Sequence, residues 1–275
     1  MNPSMKLAAG IAISALLGCG GEMQKANTTA PLPSLDQVTG EEWQRLADRR
    51  LFFGHQSVGS NVLQGVEEIL RTHPGIPLRV VETSDPSRMG TPGLYHGYVG
   101  TNGAPDTKLA EFGRSAAGVA DSGAAMLKFC YIDVNAETDA AALFERYRQA
   151  IDSLRTRYPA LTIVHVTLPL QVDPGTLFHW RTLVRGRQTP YRALNEIRAR
   201  YNGLMRKTYE GREPLFDIAH FESLLPDGSV GAVSYKGIDV PYLAEEWASD
   251  GGHLNEAGRR RVAQAFLVTM AKLRW

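Results

Sequence analysis

A parallel β-sheet covered by helices on both faces is the architecture this sequence predicts, and three observations predict it. Strand-like apolar runs alternate with segments of helical period from residue 51 to the end of the chain, an alternation that calls for parallel strands joined by crossover helices. Ala124 to Ile132 (AAMLKFCYI) is apolar almost throughout, as a central strand covered on both faces should be. Two long loops, 84–107 and 171–190, follow the second and fourth predicted strands. Both then lie at the carboxyl edge of the sheet, where open α/β sheets bind ligands.

The elements follow in order. Leu51 to Phe53 is read as a first strand, stopped at Gly54. Apolar residues at 58, 62, 63, 66, 69 and 70 share one helical face, and Pro74-Gly75 ends that helix. Pro77 to Thr83 is a second strand, and Ala124 to Ile132 a third. Thr138 to Tyr158 is helical, with Leu143, Tyr147, Ile151 and Leu154 on one side. Leu161 to Leu168 is a fourth strand closed by Pro169, Tyr191 to Tyr209 a helix, Leu215 to Ala219 a fifth strand and Asn255 to Leu273 the last helix. No internal repeat interrupts this series.

Composition narrows the possibilities. The 275 residues are 43% apolar, too apolar for a disordered chain. Thirty Lys and Arg against 29 Asp and Glu leave a net charge of +1, which argues against a nucleic-acid binder held by a basic field. Two cysteines, Cys19 and Cys130, exclude a disulfide framework.

The amino-terminal segment reads as an address. Lys6 precedes an 11-residue apolar run, Leu7 to Leu17, shorter than the roughly 20 residues that span a bilayer, so it is read as a signal peptide over residues 1–18. Leu16-Leu17-Gly18-Cys19 resembles a bacterial lipobox, whose cysteine is diacylated and becomes the first residue. An ordinary signal peptide with a chance cysteine is the competing reading. Residues 19–40 are rich in Gly, Thr, Pro and Ser and are read as a flexible tether, with the folded body at 41–275. Cys130, inside an apolar run, is read as a buried small hydrophobe.

Two segments could carry chemistry. In Gly54-His55-Gln56-Ser57-Val58-Gly59 a serine stands at a strand-to-helix turn, beside helix-start N–H groups that can stabilise an oxyanion. Serine is also a favoured helix cap, and the segment alone does not separate the two roles. In Ser249-Asp250-Gly251-Gly252-His253-Leu254-Asn255 the two glycines let the Asp250 carboxylate fold back onto the His253 imidazole. A serine nucleophile needs an adjacent base, and the base needs a partner that fixes its tautomer. A helix-capping turn with an exposed histidine is the other reading. Both segments fall at the carboxyl edge of the predicted sheet.

On these residues the sequence resembles the SGNH (GDSL-like) hydrolase superfamily. The resemblance follows the order of elements from about 49 to 273, with specific motifs over only some 15 residues. It implies a flavodoxin-like three-layer α/β/α sandwich with sheet order 2-1-3-4-5. It also implies Ser57 as nucleophile, with its backbone N–H as an oxyanion donor, and Asp250 and His253 as the rest of a catalytic triad. In the same frame Val58 N–H, Gly103 N–H and Asn102 are expected to complete the oxyanion hole, and His55 and Gln56 to touch substrate. The departures are specific. His55-Gln56-Ser57 replaces Gly-Asp-Ser, and Ile132, which cannot donate, stands where the family has its oxyanion asparagine. Gln56 and Asn135 are the other candidate donors.

The remaining candidates are weaker. His165 is expected to be a core histidine with a satisfied ring. Asp173, His179 and His220 lack tight metal spacing, and neither metal nor cofactor is implied. Arg181, Arg185 and Arg187 cluster in the fourth-strand loop, Arg259 to Arg261 read as a surface face, and Tyr95, Tyr98, Trp180 and Tyr242 fall in loops near the site. The whole reading is an envelope-located, membrane-anchored serine esterase acting on carbohydrate or lipid esters. The alternative is a non-catalytic carbohydrate- or protein-binding lipoprotein on the same fold.

Overall fold

A computed structural model describes residues 31–175, 184 and 190–274. The signal peptide, Cys19, His179, Trp180, Arg181, Arg185 and Arg187 lie outside the described residues, as does the tether up to residue 30. Its later part is folded. Ser34 and Thr39 each build a capping box, with Gln37 and Glu42, at a short 3-10 turn Leu35–Gln37 and at helix α1, Gly40–Ala47. Leu32 and Leu35 pack on the core, and Gln264 Nε2 donates to Pro33 O at 2.7 Å. The body therefore begins ahead of residue 41. Local capping chemistry and two leucines outweigh the Pro- and Thr-rich composition.

The sheet strands are β1 (Arg50–His55), β2 (Val80–Glu82), β3 (Gly93–Tyr98), β4 (Ala124–Leu127), β5 (Thr162–Val166) and β6 (Leu215–Phe216). All pair in parallel, in the order β2-β3-β1-β4-β5-β6. The α/β sandwich is as expected, but the sheet has six strands rather than five. The addition is β3, inside the segment read as a loop. Gly93-Leu94-Tyr95-His96-Gly97-Tyr98 is buried on both faces except at its end, so it carries no alternation to read. Its Gly97 lets the chain after β2 pass close by, since a Cβ there would stand 3.1 Å from Ser84 N, a tight contact. β3 displaces β2 from the neighbour of β1 to the sheet edge, and Tyr95, expected in a loop, becomes a core residue.

The crossover helices are α2 (Ser57–Thr72), α3 (Pro105–Ser115), α4 (Ala140–Arg157) and α5 (Pro190–Tyr209); the short α6 (Ile218–Ser223) follows β6, and α7 (Glu256–Ala271) closes the chain against the sheet. Strand residues alternate between two cores. Leu51, Phe53, Ala124 and Met126 meet α1, α2, α6 and α7, while Phe52, Ala125 and Leu127 meet α3, α4 and α5. Each buried large apolar side chain contributes about 1.5–3 kcal/mol. The third predicted strand ends early because Asp133 Oδ2 takes the N–H of Cys130 at 2.7 Å and closes a 3-10 turn, Tyr131–Asp133. The fifth ends because Asp217 caps α6 through His220 N–H. An antiparallel hairpin, β7 (Ala232–Tyr235) and β8 (Ile238–Pro241), turns at Lys236 and Gly237. Both have positive φ, 52° and 80°, the backbone a two-residue hairpin loop requires.

Candidate active site

The start of α2 and the turn before α7 meet at the carboxyl edge of the sheet. His253 Nε2 lies 3.0 Å from Ser57 Oγ, and its Nδ1 lies 2.8 Å from Asp250 Oδ2. Asp250 Oδ1 accepts from the N–H of Gly252 and of His253, both at 2.8 Å. These bonds fix the tautomer: Nδ1–H donates to the carboxylate, leaving Nε2 to accept from the serine hydroxyl. Desolvation acts to raise the Asp250 pKa, but the two backbone N–H groups and the imidazole outweigh it and hold the carboxyl below its usual 3.8. The imidazole is thus paired with a charged partner. The site is open, with the His253 side chain 30% and that of Asp250 58% exposed.

Ser57 is the first residue of α2 and not its cap. Gln56 holds the cap position without a side-chain capping bond, and its Nε2 instead donates to Val99 O and Gly100 O at 3.0 Å each. The N–H groups of Gly59 and Ser60 return to Gln56 O. Among the described residues no acceptor takes the N–H of Ser57 or Val58. Asn61, one turn after Ser57, accepts the N–H of Leu254 at 3.2 Å, joining this helix to the residue after the imidazole.

Gly103 N–H, also expected in the oxyanion hole, is engaged elsewhere. Gly103 N–H donates to Asp133 Oδ1 at 2.8 Å and Gly100 N–H to Glu111 Oε2 at 2.7 Å. Asn102 Oδ1 accepts from Lys108 Nζ at 2.9 Å, and Asn135 Oδ1 holds its own turn through Glu137 N–H; these bonds use the amide oxygens and not the Nδ2 donors. The cause is a buried ion pair. Lys108 Nζ and Asp133 Oδ2 are 2.6 Å apart with both side chains fully buried, and Asp133 gathers the surrounding N–H groups that its charge demands. Ile132 is exposed.

His55 does not face substrate. It is buried beneath α2, so close that a Cβ on Gly59 would stand 2.3 Å from its own Cβ. Its Nδ1–H donates to Gln56 O at 3.0 Å, and its Nε2 lies 3.1 Å from His96 Nδ1. Burial brings its pKa down to about 3, so it supports the turn as a neutral ring. Two features escaped sequence reasoning. Tyr131 lays its ring edge-on to His253, with centroids 5.7 Å apart. Lys128, at the end of β4, is fully buried with Nζ 3.3 Å from Phe129 O. Nothing in the sequence singles out position 131, and Lys128 lies inside an apolar run.

Elsewhere, His165 is the expected core histidine, bonded to Tyr147 OH at 2.8 Å and Glu213 at 2.9 Å. Cys130 is a free, buried thiol. Of Arg259 to Arg261 only Arg260 is exposed. Arg259 pairs with Glu68 at 2.5 Å, and Arg261 lies over Trp247. Two surface cavities, of about 370 and 870 Å³, flank α4 and include none of Ser57, Asp250 and His253 in their walls.

No family model matches the chain, and no curated protein matches it. Solved structures are similar to it. A candidate GDSL-like lipase from Parabacteroides merdae has 13% identity over 82% of this chain and 96% of its own, with a TM-score of 0.49. The periplasmic domain of a Salmonella ser. Paratyphi A lipopolysaccharide acetyltransferase has 12% identity over 82% and 85%, with a TM-score of 0.45. The OSK domain of Drosophila Oskar has 13% identity over 90% and 99%, with a TM-score of 0.37.

Proposed function

We propose that the chain is a serine hydrolase of carboxylic esters. The single observation that carries this reading is the continuous chain of contacts from Ser57 Oγ to His253 Nε2 and from His253 Nδ1 to Asp250, at 3.0 and 2.8 Å. In the reaction Ser57 Oγ attacks the ester carbonyl while its proton passes to His253 Nε2. The Asp250 carboxylate stabilises the imidazolium. The oxyanion forms against the N–H groups of Ser57 and Val58 at the positive end of α2. His253 then protonates the departing alcohol, and water, activated by the same imidazole, releases the acid from the acyl-serine. The open triad suits esters borne on bulky carriers, O-acetylated polysaccharide or lipid among them. Attachment to an envelope membrane through a diacylated Cys19 belongs to the same proposal, on the strength of the Leu16–Cys19 pattern after its apolar run.

A fluorophosphonate probe tests the chemistry. Labelling of Ser57 that is lost in Ser57→Ala supports the hydrolase. A folded protein that resists labelling favours the non-catalytic binder, for which the engaged Gly103 N–H and the apolar Ile132 speak. Detergent phase partitioning of the full chain against Cys19→Ala tests the anchor, and equal partitioning of the two would remove it.

A further inference from the structure

We propose that Arg198 is a positioning residue for His253, acting through the ring and carbonyl of Tyr131, a role that rests on the hydrolase reading above. Arg198 stands on α5 and is 1% exposed. Its guanidinium donates through Nε at 3.3 Å and Nη2 at 2.8 Å to Tyr131 O, through Nη2 at 2.8 Å to Gln171 Oε1, and through Nη1 at 2.7 Å to Asn195 Oδ1. All four bonds end on neutral oxygens. A cation withdrawn from water without a carboxylate in contact is expensive, and an apolar side chain of similar volume would fill the space at lower cost. What the guanidinium adds is a rigid, planar set of donors in one place.

Those donors tie the segment after β4 to the one after β5, which Asn195 also holds through the N–H and carbonyl of Gln171. Tyr131 follows β4, and Gln171 follows β5. The next residue, Val172, gives its N–H to Gly251 O at 3.1 Å, inside the Asp250–His253 turn. The Tyr131 ring lies 5.9 Å from the guanidinium carbon on one side. On the other it meets the imidazole of His253 edge-on, at 5.7 Å and 76°. It also fills the space beside Gly252, where a Cβ would stand 2.6 Å from the ring. Asp250 grips one nitrogen of His253, and the ring blocks rotation of the imidazole away from Ser57. Arg198 holds that ring in place from behind. Gly252 is glycine because the tyrosine occupies its side-chain space.

The test uses Arg198→Met, Arg198→Lys, Tyr131→Leu and Tyr131→Phe in the whole chain, with 4-nitrophenyl acetate as substrate. Arg198→Met and Tyr131→Leu should each lower kcat by about 10- to 100-fold, the scale of a misplaced catalytic group, with KM changed less than twofold. Tyr131→Phe keeps the ring and should recover most of the loss. Arg198→Lys, a point charge without the planar fork, should not. The double variant Arg198→Met/Tyr131→Leu should be no slower than the worse single one, because the two act in series. Full kcat in either truncation, or multiplied losses in the double variant, overturns the proposal. A second readout does not depend on turnover. The Nδ1–H resonance of His253 should be sharp in wild type and Tyr131→Phe, and broadened in Tyr131→Leu, which alters a half-buried side chain and spares α5. An unchanged resonance overturns the positioning role. A sharp resonance in a wild-type protein that neither labels nor hydrolyses esters counts against the hydrolase reading instead.

Discussion

Leu254 N–H donates to Asn61 Oδ1 across 193 residues of sequence, at 3.2 Å. The bond ties the residue beside the imidazole to the helical turn that begins with Ser57, so the 3.0 Å contact between Ser57 and His253 has a second fastening one residue away. Asn61→Ala removes the acceptor and leaves the triad chemically intact. The expected result is a kcat about tenfold lower, with a melting temperature within a few degrees of wild type, measured by ester turnover and circular dichroism.

Asp250→Asn tests the tautomer. The amide oxygen can still take the two backbone N–H groups, but an NH₂ then faces Nδ1 and favours the ring form whose Nε2 carries the proton. That form cannot accept from Ser57. A fall in kcat of about 10⁴-fold is expected, as for the same change in a serine protease, with little change in the urea unfolding midpoint. Ester hydrolysis at wild-type rate would show that Asp250 serves only the turn.

Lys108 and Asp133 form a fully buried ion pair. Lys108→Met strands the carboxylate among groups that cannot neutralise it and should destabilise the fold by about 3–5 kcal/mol. Lys108→Met/Asp133→Leu removes both charges and should recover a large part of that loss. Urea unfolding of the two variants makes the comparison. A double variant as unstable as the single one would mean that the Gly103 and Cys130 N–H bonds to Asp133, and not the charge pairing, hold this corner.

Glu222 should give the stability a basic-side slope. Burial pushes its carboxyl from 4.5 up to about 8, against the pull of Leu170 N–H, Lys128 and Arg198. Between those values the folded chain keeps a proton that the unfolded chain releases, so this contribution declines as pH rises through the window and levels off above about 8. His55 and His165, held neutral with values of about 3 and 4, act in the opposite sense. Their contribution is complete above 6.5 and lost as pH falls. Glu222→Gln should flatten the decline between pH 6 and about 8 in unfolding midpoints, and an equal slope in both proteins would contradict the assignment.

The parts of the fold that were legible in the sequence carry a period or a run. The face of α2 at 58, 62, 63, 66 and 69 is buried as its spacing predicts, and the apolar stretch at Ala124 marks a central strand. β3 was illegible because it is covered on both faces and broken by glycines that serve close backbone approach, which in sequence look like loop glycines. At the site, Ser57, Asp250 and His253 could be read because their spacing relative to strand and helix ends is local. The oxyanion candidates could not, because the fate of Gly103 N–H depends on a carboxylate 30 residues away, and the partner of that carboxylate is a lysine on a helix nobody would place from composition.

The early residues are fastened along α7, Pro33 to Gln264 and Glu42 to Lys272. At 1.5 Å per residue these fastenings lie roughly 12 and 24 Å down the helix from the end that carries His253. The described chain therefore enters the fold along the flank of α7 and not at the crevice, so its opening segment and the Ser57–His253 contact lie at separate points along one helix.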